Sequence, residues 1–270
     1  MNKFAILVPV ALVTACKDNS QASVPARSPE PAASAVAIAP PVPASDAKAR
    51  SVKVENDLYS FSFEYPAKAA EIPALKARLD GELDQAQREI AAMAREGRDD
   101  AKASGYDYNR YDRSISWAVV TDLPGWLSLS SQFYEFTGGA HGNHGSGALV
   151  WDKAAGRARD PLDLFVSKAA FDAALSEVYC TALNKERAER RGEPVGTNGE
   201  AMFEDCLKPS GVTVLLGSAD KRHFTRIGLV ADPYAAGPYA EGSYELTLPV
   251  TPALIKAVRP EFRAAFAPGR

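Results

Sequence analysis

Tyr59, Phe61, Phe63 and Tyr65 alternate with Ser60, Ser62 and Glu64, which puts four aromatic rings on one face at period two and predicts a strand that Pro66 ends. From Ile72-Pro73 the period becomes helical. Leu75, Leu79, Leu83, Ala86, Ile90 and Met93 recur with charges between them, Pro73 suits a first turn, and Gly97 or Gly105 is expected to close the helix. Ile115, Trp117 and Val119, then Leu127, Leu129 and Phe133, predict a hairpin about Asp122-Leu-Pro-Gly125. Gly138 to Gly147 reads as a glycine-rich loop and Ala148 to Trp151 as a short strand. Ser167 is placed to cap a second long helix with Phe171, Leu175, Val178 and Leu183 on its buried face. Its charged tail, Lys185 to Arg191, reads as a solvated end. A short helix over Glu200 to Leu207, a hairpin over 212–216 and 224–230, a strand at Tyr244, Leu246 and Leu248, and a last helix from Thr251-Pro252 to Phe266 complete the pattern. Short hairpin turns between neighbouring strands favour an α+β fold, with a mainly antiparallel sheet packed against two or three long helices.

The first fifty residues follow none of these periods. Lys3 precedes an apolar run from Phe4 to Val13 that is too short to span a bilayer and is followed by Thr14-Ala15-Cys16, the pattern of a signal peptide over residues 1–15. Val13-Thr14-Ala15-Cys16 resembles the bacterial lipobox, which implies acylation of Cys16 and a membrane held through lipid, on the periplasmic face of an outer membrane. Residues 17–50 hold ten Ala, six Pro and five Ser and no aromatic side chain, so 16–50 is expected to be a lipidated Cys followed by a disordered tether. The globular region is 51–270, with 51–125 and 126–270 as candidate subdomains.

Charge excludes one class of partner. The 270-residue chain carries 31 basic and 34 acidic side chains, a net −3, and the part beyond residue 50 has 26 against 31. A nucleic-acid binder would need a basic footprint. Of the three cysteines, Cys16 is assigned to lipid. Export places Cys180 and Cys206 in an oxidising space, where they are expected to pair and close a loop of about 26 residues, a contribution of about 3–4 kcal/mol.

The chemistry-bearing residues concentrate in two segments. Tyr134-Glu-Phe-Thr-Gly138-Gly139-Ala-His141-Gly-Asn-His144 holds two of the three histidines. A metal reading takes His141, His144 and a carboxylate, Glu135 or Asp152, and a nucleophile reading takes Ser146. No Gly-x-Ser-x-Gly elbow supports the second. The plainer reading has His141 bonded to the backbone of a tight turn, with a ligand-contact role beside it. Asp232-Pro-Tyr234-Ala-Ala-Gly-Pro238-Tyr239 reads as a stiff loop displaying aromatic rings, either a protein-binding anchor or a cover for a sheet edge.

Tyr59-x-Phe-x-Phe-x-Tyr-Pro66, Thr137-Gly-Gly-Ala-His141, Asp160-Pro-Leu-Asp-Leu-Phe165 and the stretch from Pro233-Tyr234 to Gly242-x-Tyr244-x-Leu-x-Leu-Pro249 occur in that order. The set resembles the paired extracytoplasmic domains of unknown function found in the lysozyme-sensing anti-sigma factor RsiV and the peptidoglycan deacetylase PdaC. The resemblance implies a binding domain of the cell envelope, for lysozyme (as inhibitor or sensor) or a peptidoglycan-related ligand. It implies no catalysis and no cofactor, because the hydrolytic chemistry of PdaC lies in a separate domain. The ligand-binding candidates are then Gly138, Gly139, His141, Tyr234, Pro238 and Tyr239. The alternative is a cell-wall glycan-modifying enzyme with metal at His141 and His144, completed by Glu135.

Overall fold

The computed structural model describes residues 48–195 and 202–269. Cys16, the expected leader and nearly all of the expected tether lie outside the described residues. Among the described residues no helix is long and apolar enough to cross a membrane.

The fold is α+β, with a six-stranded mixed sheet and a three-stranded sheet. Strands β1 (Arg50–Glu55) and β2 (Tyr59–Tyr65) form an antiparallel pair. A single turn of helix, α1 (Ala67–Ala70), leads into the 32-residue α2 (Pro73–Ser104). This helix returns the chain so that β3 (Tyr111–Asp122) runs parallel to β2. Helical crossover is the ordinary way to make a parallel pair, and it is the one departure from the antiparallel pattern expected of this sheet. Strands β4 (Trp126–Phe136), β5 (Asn143–Asp152) and β6 (Arg157–Arg159) then add in sequence order, all antiparallel. The sheet therefore runs without a break from Arg50 to Arg159. Helix α3 (Lys168–Arg191) precedes the second sheet, β7 (Thr213–Gly217), β8 (Arg226–Ala231) and β9 (Tyr244–Pro249), which is antiparallel throughout. The short α4 (Pro252–Ala257) follows.

Alternation assigns each face of the large sheet. Phe61, Phe63, Tyr65, Leu127, Leu129, Leu149 and Trp151 point to one side and are buried with Leu75, Leu79, Leu83 and Ile90 of α2. Each fully buried side chain of this size stabilises by about 1.5–3 kcal/mol. Val150 points to the other side and joins a second core made by α3, the small sheet and α4, with Trp126 packed against it. Gly105 closes α2 in the left-handed conformation at φ 77°. Gly97 lies inside the helix instead, where a Cβ would run into the Tyr111 hydroxyl.

Several elements differ from the sequence pattern. The loop expected over Gly138 to Gly147 ends at residue 142, and His144 lies in β5, paired with Tyr134. A Cβ at Gly145 would strike the Phe133 ring and one at Gly147 would press on Ser131, so these glycines let larger side chains of β4 cross the strand. The buried stripe of α3 is Phe171, Leu175, Tyr179, Leu183 and Arg187, whereas Val178 is exposed. Described residues 202–207 contain no helix. The final helix stops at Ala257, because Pro260 forces the residue before it out of helical geometry, and a 3-10 segment over Pro260–Ala265 follows.

Candidate functional site

The two segments that carry the candidate residues meet on one side of the large sheet. Tyr134 and His144 are cross-strand partners on that side, with rings 4.9 Å apart. The turn between β4 and β5 uses Gly138 and Gly139 at φ 97° and 93° and delivers His141 beyond the strand end. The loop between β8 and β9 lays Tyr239 flat on His141, with ring centroids 3.9 Å apart at 20°, and Tyr234 stands 5.6 Å from Tyr239. His144 lies 6.2 Å from Tyr239. Five rings from two distant segments thus form one surface.

Hydrogen bonds fix this arrangement. The Tyr239 hydroxyl donates to the Gly142 carbonyl at 2.8 Å. His141 Nδ1 is 3.0 Å from the same oxygen, which can only accept, so the proton belongs on Nδ1. Nε2 then accepts from the Tyr234 hydroxyl at 3.2 Å. At the base of the loop, Ser146 donates to Asp232 through Oγ at 2.8 Å and through its backbone N–H at 3.1 Å. Its Oγ also lies 2.9 Å from that of Thr213, so Ser146 ties the large sheet to the small one.

The loop is also held from behind. Arg187 is 0% exposed and donates from Nε to the Ala236 carbonyl at 2.9 Å. Its Nη1 donates to Asn184 at 3.0 Å and to the Asp205 carbonyl at 3.2 Å. Burial, and then the neighbouring Arg191, lower the pKa of this guanidinium. Arg191 holds both carboxylate oxygens of Glu241, at 2.8 and 3.0 Å. Arg190 donates to the carbonyls of Glu241 and Ser243 and lies 4.0 Å from the centre of the Tyr244 ring. Burial, then the Glu241 carboxylate, push the Tyr244 hydroxyl up to about 12. The α3 tail, expected to be a solvated end, is therefore the clamp on this loop. Its sequence signal was the buried i, i+4 series from Phe171 to Leu183, which runs on to Arg187.

Of the six ligand-binding candidates, His141, Tyr234 and Tyr239 are in mutual contact, Gly138 and Gly139 shape the turn that presents His141, and Pro238 is exposed beside Tyr239. Tyr234 keeps 53% of its surface and sits at φ 70°, a left-handed conformation that a tyrosine adopts only under local constraint. The proposed metal set is not brought together. Glu135 is one residue from Tyr134 on β4, so it points to the opposite side of the sheet, where Arg113 binds it. Asp152 is engaged by Arg159 at 2.8 Å. Among the described residues there is no group of three or more His, Cys, Asp or Glu able to hold a metal ion. Cys180 and Cys206 form a disulfide, with Cα atoms 5.4 Å apart.

Comparison with known proteins agrees with the likeness carried by these motifs. Residues 52–144 match the family model described as Deacetylase PdaC. The chain shares the fold of a DUF3298 family protein from Pseudomonas aeruginosa, at 20% identity and a TM-score of 0.51, over 83% of this chain and 96% of that one. A DUF3298 family member from Bacteroides fragilis aligns at 16% identity and a TM-score of 0.49, over 75% of this chain and 90% of that one. No curated protein matches.

Proposed function

We propose that this protein is a non-catalytic binding module of the bacterial cell envelope, anchored through lipid on Cys16, and that its partner is lysozyme. The observation that supports this most is the convergence of His141, Tyr234 and Tyr239 from separate loops into one surface whose backbone is clamped by Arg187, Arg190 and Arg191. Rigid aromatic side chains on a preorganised loop lose little entropy on association and form effective anchors. The choice of lysozyme comes from the motif resemblance to the domains of RsiV. The net negative balance beyond residue 50 suits a cationic partner.

Titration calorimetry of the purified protein against several lysozymes tests this. Saturable heat is expected, and Tyr234→Ala should remove it while leaving the unfolding midpoint unchanged, since that ring is half exposed. No heat with any lysozyme at roughly tens of micromolar refutes the assignment. Mass spectrometry of the membrane fraction tests the anchor: a mature chain beginning at Cys16 with acyl mass supports it, and an unmodified Cys16 does not.

A further inference from the structure

The disulfide and the ring surface lie at the two ends of one series of contacts, which runs through α3. Cys180, Asn184 and Arg187 recur at i, i+4 and i+7 and so share one face of this helix. The Asn184 side-chain amide donates to Cys180 Sγ at 3.8 Å, and its oxygen accepts from Arg187 Nη1 at 3.0 Å. Across the sulfur bond, Cys206 fixes the chain just before it, where the carbonyls of Glu204 and Asp205 accept from Arg187 Nη1 at 3.4 and 3.2 Å. The other edge of the guanidinium belongs to the loop between β8 and β9. Nε donates to the Ala236 carbonyl at 2.9 Å. Ala236 is buried and lies between Tyr234 and Tyr239, inside the turn that the Tyr234 N–H closes on the Gly237 carbonyl at 3.1 Å.

Two features make this series respond to the state of the sulfurs. Arg187 has no acceptor to spare: the four oxygens it bonds are neutral, and its buried Nη2 has no hydrogen-bonding partner among the described residues. Loss of the Glu204 and Asp205 carbonyls leaves Nη1 with Asn184 alone beside that unpaired nitrogen. A buried cation so short of acceptors is driven toward water. The sulfur bond is also within reach of solvent, because Cys206 is exposed and residues 202–208 carry no helix or strand.

We propose that Arg187 is a positioning residue through which the Cys180–Cys206 disulfide sets the geometry of the ring surface, which makes that surface redox-sensitive. A dithiol reductant supplies the two electrons and two protons. Its thiolate attacks the exposed Cys206 sulfur, and Cys180 leaves as a thiolate and takes up a proton. The second thiol of the reductant then closes the reductant's own disulfide and releases Cys206 as a thiol. The Glu204 and Asp205 carbonyls turn away, Arg187 withdraws from Ala236, and Tyr234 and Tyr239 lose their fixed positions beside His141. The coupling holds whatever partner the rings bind; its consequence for recognition rests on the function proposed above.

Amide hydrogen exchange of the purified protein, read by NMR with and without dithiothreitol, tests this. Reduction should speed exchange of the Tyr234 amide at least about tenfold and shift the His141 ring signals, while the amides of Phe63 and Leu149 in the large sheet change less than about twofold. In Arg187→Met the Tyr234 amide should already exchange fast and respond to reduction less than about twofold. Cys180→Ser/Cys206→Ser should match the reduced protein and ignore dithiothreitol, which keeps the test decisive if Arg187→Met does not fold. Unchanged Tyr234 exchange on reduction, an equal increase in the large sheet, the full reduction effect in Arg187→Met, or oxidised-like protection in the double serine protein would each overturn the proposal. No lysozyme enters these measurements, so their outcome is separate from that of the calorimetry.

Discussion

The disulfide and the buried Arg187 restrain the same segment, so their contributions to stability should be coupled. Cys180–Cys206 closes a separation of 26 residues, and on the chain-entropy model the covalent link contributes about 3.5 kcal/mol. Arg187→Met keeps the apolar stem but removes the donors to Ala236, Asn184 and Asp205. Each buried carbonyl left without a partner costs about 1–3 kcal/mol, partly offset by relief of the desolvated charge, for a net loss of about 2–4 kcal/mol. Without the disulfide, the stretch 202–207 loses its covalent link to α3 and is held by noncovalent contacts, among them Leu207 packed on the second core and, just beyond it, Ser210, whose backbone N–H and hydroxyl donate to Asp172 at 2.7 and 2.8 Å. The Asp205 carbonyl can then turn to water, and Arg187 loses part of its role. The Arg187→Met cost should therefore be about 1–2 kcal/mol smaller in the Cys180→Ser/Cys206→Ser background. Urea unfolding of the four proteins measures this directly. Additivity within about 0.5 kcal/mol would show that arginine and disulfide act independently and would refute the reasoning.

Other expectations concern single sites. Gly142→Ala places a Cβ against the Tyr134 ring and should cost about 1–3 kcal/mol, with the largest chemical-shift changes at His141 and His144. Ser146→Ala removes the hydroxyl bond to Asp232 and should cost about 1–2 kcal/mol in thermal unfolding. Because burial raises the Glu82 carboxyl, the charged form is disfavoured in the fold and stability falls as pH rises through the ordinary value of 4.5. Glu82→Gln should raise the unfolding midpoint at neutral pH and give no gain below that value. Asp80 has the opposite sign: its hydrogen bond from Lys76, and then the Tyr65 hydroxyl, overcome the effect of burial and hold its carboxyl low. Its contribution is present above 3.8 and is lost as pH falls through the depressed folded value, so Asp80→Asn should destabilise at neutral pH and progressively less in acid.

Much of this fold is legible in local periods, and the misreadings have physical causes. Tyr59 to Tyr65 and Leu75 to Ile90 show their elements because one face of each is buried against a single neighbour. The alternation of Val52 and Val54 marks β1 in the same way but is too short to stand out beside the alanine-rich stretch before it. Gly145 and Gly147 look like loop residues because the reason for them, the rings and side chains of β4, lies across a strand pair. Arg187 looks like part of a charged tail because the groups that satisfy it are main-chain carbonyls from distant segments, which leave no trace in side-chain pattern. Both loops of the candidate site were visible as compositional oddities. Their meeting was not, because it depends on how β5 and the small sheet pack, through Ser146, Thr213 and Asp232.

The large sheet ends at β1 on one side and at β6 on the other. Both are ill-suited to recruiting another strand. The first carries Arg50, Lys53 and Glu55 among six residues, and the second is three residues long, two of them arginines. Short, charged borders discourage main-chain pairing between copies, the usual route by which exposed sheets aggregate. Concentrated molecules should therefore stay individually dispersed, with any association left to exposed side chains and not to strand pairing at the borders of the large sheet.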